Sequence, residues 1–305
     1  MAMIADIRIL KVKRPRSGAA VFSIIIPSWN NLAYLQLCIE SIRKHSHFSH
    51  QLIVHVNESS DGTLAWIRAQ EDIDYTFSKE NIGVCYGLNI ARDLVATDYI
   101  LYLNDDMYVC PGWDLVLHEE ILRIGHPYFF LSSTSIEPLS SGNPCVVVAD
   151  FGSDIRSFRE KELLAAFASQ PKGDWQGATW PPNLVHKDIW DLVGGYSPEF
   201  SPGMYSDPDF SFKLWNLGIR YFKGMGASRV YHFGSKSTGR IRRNKGYYRF
   251  IQKWGMTSST LTRYYLRRGQ PHDGALSKPA MPLMVRVKNL WKRIYVACRR
   301  FEKRP

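Results

Sequence analysis

Apolar and polar positions change period several times along the first hundred residues. "VFSIIIP" (21–27) is a short β-branched run stopped by Pro27, the pattern of a buried strand. From Leu32 to Lys44 the period lengthens, and Leu35, Ile39 and Ile42 recur on one side of a predicted helix. Strands are predicted over "QLIVHV" (51–56), "IDYTFS" (73–78) and "DYILYL" (98–103). Between them, Asp61 to Gln70 and Gly83 to Val95 read as helices. Strand and helix alternating at such short spacing predict a mostly parallel central sheet flanked by helices. Ligands of such sheets bind beyond the C-terminal ends of the strands. Here those ends are polar: Ser28-Trp29-Asn30, Asn57-Glu58-Ser59, Lys79-Glu80-Asn81 and Asn104-Asp105-Asp106.

After Asp106 the pattern loosens. Helices are predicted from Trp113 to Ile124, near Asp188 to Val193 and from Ser206 to Leu217, with strands at 128–136 and 145–150. A Trp/Pro/Gly-rich stretch runs from Lys172 to Pro182. The 305 residues, 45% hydrophobic, are enough for one substantial core. No apolar run has membrane-spanning length, and Met1 to Ala20 lacks the apolar centre of a signal peptide. The scattered cysteines, in no CxxC spacing, read as reduced, mostly buried thiols of a cytoplasmic protein rather than a disulfide frame or zinc site.

Charge divides the chain. Residues 240–305 hold 18 Lys/Arg against Asp273 and Glu302 alone, while the remaining 239 carry 21 basic and 26 acidic groups. A mildly acidic body thus precedes a strongly basic tail, which suits an anionic partner without choosing among nucleic acid, membrane and polymer. In the tail, Leu283, Val287, Leu290, Trp291, Ile294, Cys298 and Phe301 fall at intervals of three and four. Arg286, Lys288, Lys292, Arg293, Arg299 and Arg300 occupy much of the remainder, with Lys303 and Arg304 beyond. This is the pattern of a helix lying in an anionic membrane surface; the alternative is a stripe packed on the body with solvated charges.

Asp105 and Asp106 suit a surface turn after a strand. On the ligand-bearing rim of a parallel sheet, the same carboxylates suit Mn²⁺ or Mg²⁺ held against phosphates. "FSIIIPSWNN", "VNESSDGT", "NIGVCYGLNIA" and "YILYLNDD" then stand in the order and spacing of family 2 glycosyltransferases of the GT-A fold, and the chain resembles that family over roughly residues 21–240.

The resemblance implies a GT-A catalytic domain at 21–240, with a nucleotide-sugar half (21–110) and an acceptor half (111–240). An N-terminal extension (1–20) and a basic helical C-terminal region (241–305) flank it. It implies that Asp106 ligates the metal and that Asp105 contacts ribose or the donor sugar, with Asn104 in the first place of the family's acidic motif. Pro27, Ser28, Trp29 and Asn30 match the element that packs on the base, and Asn81, Gly83 and Asn89 the element beside base and ribose. Asn57 or Glu58 would accept the uracil N–H; Asp61 reads as a helix cap.

"GGYSPEFSPGMYSDPDFSFKLWNLG" (194–218) resembles the family's catalytic segment, making Asp207 the base that activates the acceptor and Asp209 the next acceptor-side carboxylate. Capping of the helix by Ser206 or Asp207 is the competing reading. His232, in "VYHFGSKST", becomes a second metal ligand, and Ser235, Lys236, Ser237 and Thr238 stand ready to close over the diphosphate. Trp175, Trp180, Pro181 and Pro182 offer either a sugar-stacking face or core packing, Trp180 being the acceptor contact carried forward. His186 reads as structural.

The expected activity is metal-dependent, inverting transfer of a sugar from a UDP- or dTDP-sugar to an acceptor hydroxyl. The acceptor is a glycan, a cell-surface polysaccharide or a lipid-linked molecule, and the enzyme sits at the cytoplasmic face of the membrane. No nucleic-acid partner is expected. Two alternatives stand: a sugar-1-phosphate nucleotidyltransferase, weakened by the lack of a Gly-rich basic loop after the first strand, and a non-enzymatic polyanion-binding protein.

Overall fold

The computed structural model describes residues 8–16, 18–234 and 245–301, the last three without side-chain detail. The segment Ser235 to Thr238, the side chains of Arg299, Arg300 and Phe301, and Lys303 and Arg304 lie outside the described residues.

The first half alternates as expected: β1 (Ile9–Val12), β2 (Phe22–Ser28), α1 (Leu32–His45), β3 (Gln51–Asn57), α2 (Thr63–Arg68), β4 (Ile73–Ser78), α3 (Val84–Ala91) and β5 (Tyr99–Tyr102). The second half adds β6 (Met107–Val109), α4 (Trp113–Ile124), β7 (Phe129–Glu137), β8 (Val147–Val148), α5 (Glu160–Ala166), β9 (Trp175–Gln176), β10 (Asn183–His186), α6 (Lys187–Leu192), α7 (Ser206–Leu217) and β11 (Tyr221–His232). Then come α8 (Gly246–Trp254), the short α9 (Ser258–Thr260) running into a π-helical turn (Leu261–Tyr265), and α10 (Leu283–Phe301).

One sheet runs in the order β1-β4-β3-β2-β5-β10-β7-β11-β6, with β8 on β7 and β9 on β11. β4, β3, β2 and β5 are mutually parallel, as are β7 and β11. β1 and β6 are antiparallel strands at the two ends of the sheet, and β10 is inserted antiparallel between β5 and β7. Part of the segment read as an N-terminal extension therefore belongs to the sheet: Ile9 to Val12 cover the outer edge of β4, which would otherwise leave a row of unpaired backbone groups. Helices cover both faces of this central sheet, as the strand–helix alternation predicts.

Period-2 alternation divides the core between two faces. Ile24 and Ile26 point to one side with Leu35, Ile39 and Trp113; Ile25 points to the other with Cys85, Leu88 and Tyr102. Both faces are covered, so β2 reads as an unbroken apolar run. The register of β11 decides the site. Its antiparallel pairing with β6 sets His232 opposite Met107, hence beside Asp106, and its parallel pairing with β7 sets Tyr231 opposite Ile136, hence Glu137 alongside.

Candidate active site

A cleft of about 930 Å³ opens along the C-terminal ends of the parallel strands. Its walls include Pro27, Ser28 and Trp29 after β2, Asn57 after β3, Asn81 and Gly83 before α3, and Asn104, Asp105 and Asp106 after β5. Trp180, Asp207 and His232 also line it. Residues far apart in sequence thus meet because strand order, not chain order, arranges the rim.

Asp105 and Asp106 are buried, at 4% and 3% exposure. Asp106 Oδ1 lies 3.4 Å from His232 Nε2, and Glu137 Oε1 lies 3.4 Å from His232 Nδ1. Burial lowers the His232 imidazole, but the carboxylates on either side outweigh it and raise the group to about 10.

Asp207 lies in the first turn of α7, and the capping reading does not hold. The residue before the helix is Tyr205 at φ 74°, and no side chain caps the end. Asp207 Oδ1 instead accepts a hydrogen bond from the Tyr196 hydroxyl at 3.3 Å. Burial drives its carboxyl up to about 7, the Tyr196 bond pulling the other way.

Several other expectations are corrected. Asp209 is fully buried, accepting from Ser197 Oγ (2.6 Å) and Trp254 Nε1 (2.8 Å) and pairing with Lys253 Nζ (2.9 Å). It ties α7 to α8 and is absent from the cleft wall, so it does not meet an acceptor. Asn89 is likewise withdrawn from the donor: its Nδ2 donates to Tyr196 O (2.7 Å) and its Oδ1 accepts from Tyr196 N (2.8 Å). The close approach that Gly83 permits (φ 81°) is to the Ser201–Pro202 backbone; an added Cβ would stand 2.8 Å from Pro202 Cα.

Of the pair Asn57 and Glu58, Asn57 lies on the cleft, its Oδ1 accepting from Ile82 N at 3.0 Å. Glu58, outside the wall, accepts from the Trp29 indole at 3.0 Å. Asn30 is also outside it and receives Ser60 N at 2.8 Å. Asp61 sits one residue ahead of the helix N-cap Gly62, receiving Thr63 N and Leu32 N. Trp175 is core: it packs on Gly224 and donates to Thr134 Oγ1. His186 caps α6 by accepting from Asp188 N.

Sequence reasoning missed Glu137, Tyr196, Tyr205 and the arginines of the π-turn region, Arg263, Arg267 and Arg268, all but Tyr196 on the cleft wall. Arg268 lies over the Trp180 ring, 5.0 Å from its centroid. The signal available was the basic cluster "RYYLRRG" (263–269), which in sequence is indistinguishable from the general charge of the tail. Among the described residues, the non-glycine positions at positive φ are Asn30, Glu58, Tyr205 and Arg267, each lining the cleft or following a residue that does. Such strained conformations gather at functional sites.

Residues 23–138 match the family model described as Glycosyl transferase family 2. No curated protein matches the chain. Among solved structures, S. aureus TarS 1-349 is similar with a TM-score of 0.56 and 12% identity, covering 90% of this chain and 71% of that one. The same fragment in complex with UDP-GlcNAc gives 0.54, 12%, 90% and 72%. GalNAc-T7 with UDP, GalNAc and Mn²⁺ gives 0.52 and 14%, covering 74% of this chain and 45% of that one.

Proposed function

Because this chain is a glycosyltransferase of the GT-A fold, its residues 23–138 matching family 2, we propose that it moves one sugar from a nucleoside diphosphate sugar to an acceptor hydroxyl, with a divalent metal and inversion at the anomeric carbon. One observation carries the reading. Asp207, its carboxyl raised to about 7 by burial, shares a single cleft with the acidic end of β5.

The donor is a UDP- or dTDP-sugar. Its base lies against Pro27, Ser28 and Trp29 and is read by Asn57, while Asn81 and Asn104 border the ribose and Asp105 meets ribose or sugar. The UDP and UDP-GlcNAc of the similar structures support that choice. On the other flank Asp207 accepts the proton of the acceptor hydroxyl as that oxygen bonds to the anomeric carbon and the bond from that carbon to the diphosphate oxygen breaks. A carboxyl poised near neutrality suits this, since the base must be ionised yet strong enough to take the proton. Trp180, held under Arg268, offers the flat face on which a sugar ring stacks.

Asp106 and His232 are the residues that would hold Mn²⁺ or Mg²⁺. His232 Nε2 is buried and faces Asp106 at 3.4 Å, a contact in which a cation would take the place of the imidazole proton, while Glu137 stands at the other ring nitrogen as a carboxylate that orients a ligating imidazole would. Among the described residues no group of three or more His, Cys, Asp or Glu side chains gathers for a metal. Two protein ligands suit a cation that keeps positions for water and substrate phosphates. When bound, it offsets the charge that collects on the departing diphosphate.

The acceptor belongs to the same proposal as a glycan, a cell-surface polysaccharide or a lipid-linked molecule, with the enzyme peripheral to the cytoplasmic face of a membrane. The test is incubation with a panel of nucleotide sugars and Mn²⁺, following release of free nucleoside diphosphate. Slow hydrolysis of one donor, abolished in Asp106→Ala, is expected. Hydrolysis of none, with no donor bound in Mn²⁺, overturns the reading.

A further inference from the structure

We propose that the outward face of α10 is a docking surface for an anionic lipid bilayer and that the helix is fixed to the body rather than trailing from it. This deepens the peripheral placement in the proposed function and does not depend on the transfer reaction.

The helix has two faces with different work. At about 100° per residue, Leu283, Val287, Leu290, Trp291 and Ile294 share roughly a third of its circumference. All are exposed, Trp291 at 67% and Leu290 at 54%. The opposite face meets the body: Val296 is 2% exposed, and Asn289 Oδ1 accepts from Thr260 Oγ1 at 3.1 Å and Thr257 N at 3.4 Å. Lys292, on that face, reaches the Tyr247 ring of α8. The apolar stripe is therefore not what holds α10 to the protein. Large apolar side chains exposed side by side along one helix face form the kind of patch that marks an interaction surface.

Charge selects the occupant. Between Asp273 and Glu302 the chain has no acidic residue and seven Lys/Arg. On the helical wheel Arg286 and Arg293 border the apolar sector on one side and Lys288 on the other. A second copy of this chain would set that positive frame against itself, whereas anionic headgroups complement it. Trp291 is the amphipathic ring suited to the headgroup level. No helix among the described residues is long and apolar enough to cross a membrane, so α10 would lie in the plane of the bilayer. Because its inner face is held by α8 and α9, docking would also set the orientation of the body.

Full-length protein is co-sedimented with vesicles of phosphatidylglycerol and phosphatidylcholine, and with phosphatidylcholine alone, in the absence of donor and acceptor. Binding to the anionic vesicles only, released by salt, is expected. Leu290→Glu/Ile294→Glu should abolish it, and Arg286→Gln/Lys288→Gln should weaken it roughly twentyfold or more. Circular dichroism and thermal melting, unchanged for substitutions at exposed positions, verify that these variants fold. Equal binding of parent and variants, or equal binding to both vesicle types, overturns the proposal. So does a parent that is dimeric in solution and becomes monomeric in Leu290→Glu/Ile294→Glu, which would make a second copy the occupant. Nucleoside diphosphate release is read separately, so failure here leaves the transfer reaction standing.

Discussion

The Tyr196 hydroxyl donates to Asp207 Oδ1 across 3.3 Å, from a loop whose backbone N–H and C=O at that residue are both held by the Asn89 amide. The same phenol stacks on Phe210, with ring centroids 4.5 Å apart. A buried carboxyl is thus given one donor, which favours its ionised form against the burial that opposes it.

Transfer by the parent enzyme should rise with pH through about 7, since Asp207 is protonated below that value and acts as a base only above it. Tyr196→Phe removes the bond that favours the carboxylate, so the rise should move to higher pH. Initial rates across a pH series measure both; a Tyr196→Phe profile lying on the parental one would remove the phenol from the mechanism.

Asp207→Asn keeps the shape and loses the basicity. Transfer should fall about a hundredfold or more while donor affinity stays near the parental value. Rates at saturating donor, with a separate donor titration, check this. Near-parental transfer would return Asp207 to a structural role.

Asp106→Ala should weaken donor binding in Mn²⁺ and leave it unchanged in a chelator, because the lost carboxylate acts on the diphosphate through the cation. Calorimetric titration under the two conditions makes the comparison, and equal affinities of variant and parent in Mn²⁺ would sink the assignment.

Asn89→Ala should cost about 2 kcal/mol or more of stability, read from urea midpoints, by leaving the Tyr196 N–H and C=O unpaired. The donor KM should hardly move. A large rise in donor KM at unchanged stability would restore Asn89 to the nucleotide.

Arg268→Ala should raise the acceptor KM about tenfold, the weight of one hydrogen bond to a charged group, and leave donor hydrolysis untouched. The competing outcome is a weakened donor, which steady-state rates varied in each substrate separate; it would place the arginine at the diphosphate instead.

Local pattern alone determined much of this protein. The β-branched run at Ile24 to Ile26 and the helical spacing of Leu35, Ile39 and Ile42 specify their elements because period and burial are properties of neighbouring residues. The four polar strand ends followed from parallel topology, and the stripe of α10 was visible as a pattern. What only the tertiary structure decided are relationships that no local window contains. Asn89 and Asp209 look like site residues in sequence, yet their hydrogen bonds are taken by Tyr196 and by Ser197, Lys253 and Trp254. Glu137 and His232 come together through the register of β7, β11 and β6 across 95 positions. The arginines at 263, 267 and 268 enter the cleft because the segment after α9 folds back against β9, with Trp175 bridged to Pro271. Which face of α10 meets the protein was likewise undecided by periodicity: the buried Asn289 and Val296 hold the helix, and that leaves its apolar stripe facing outward.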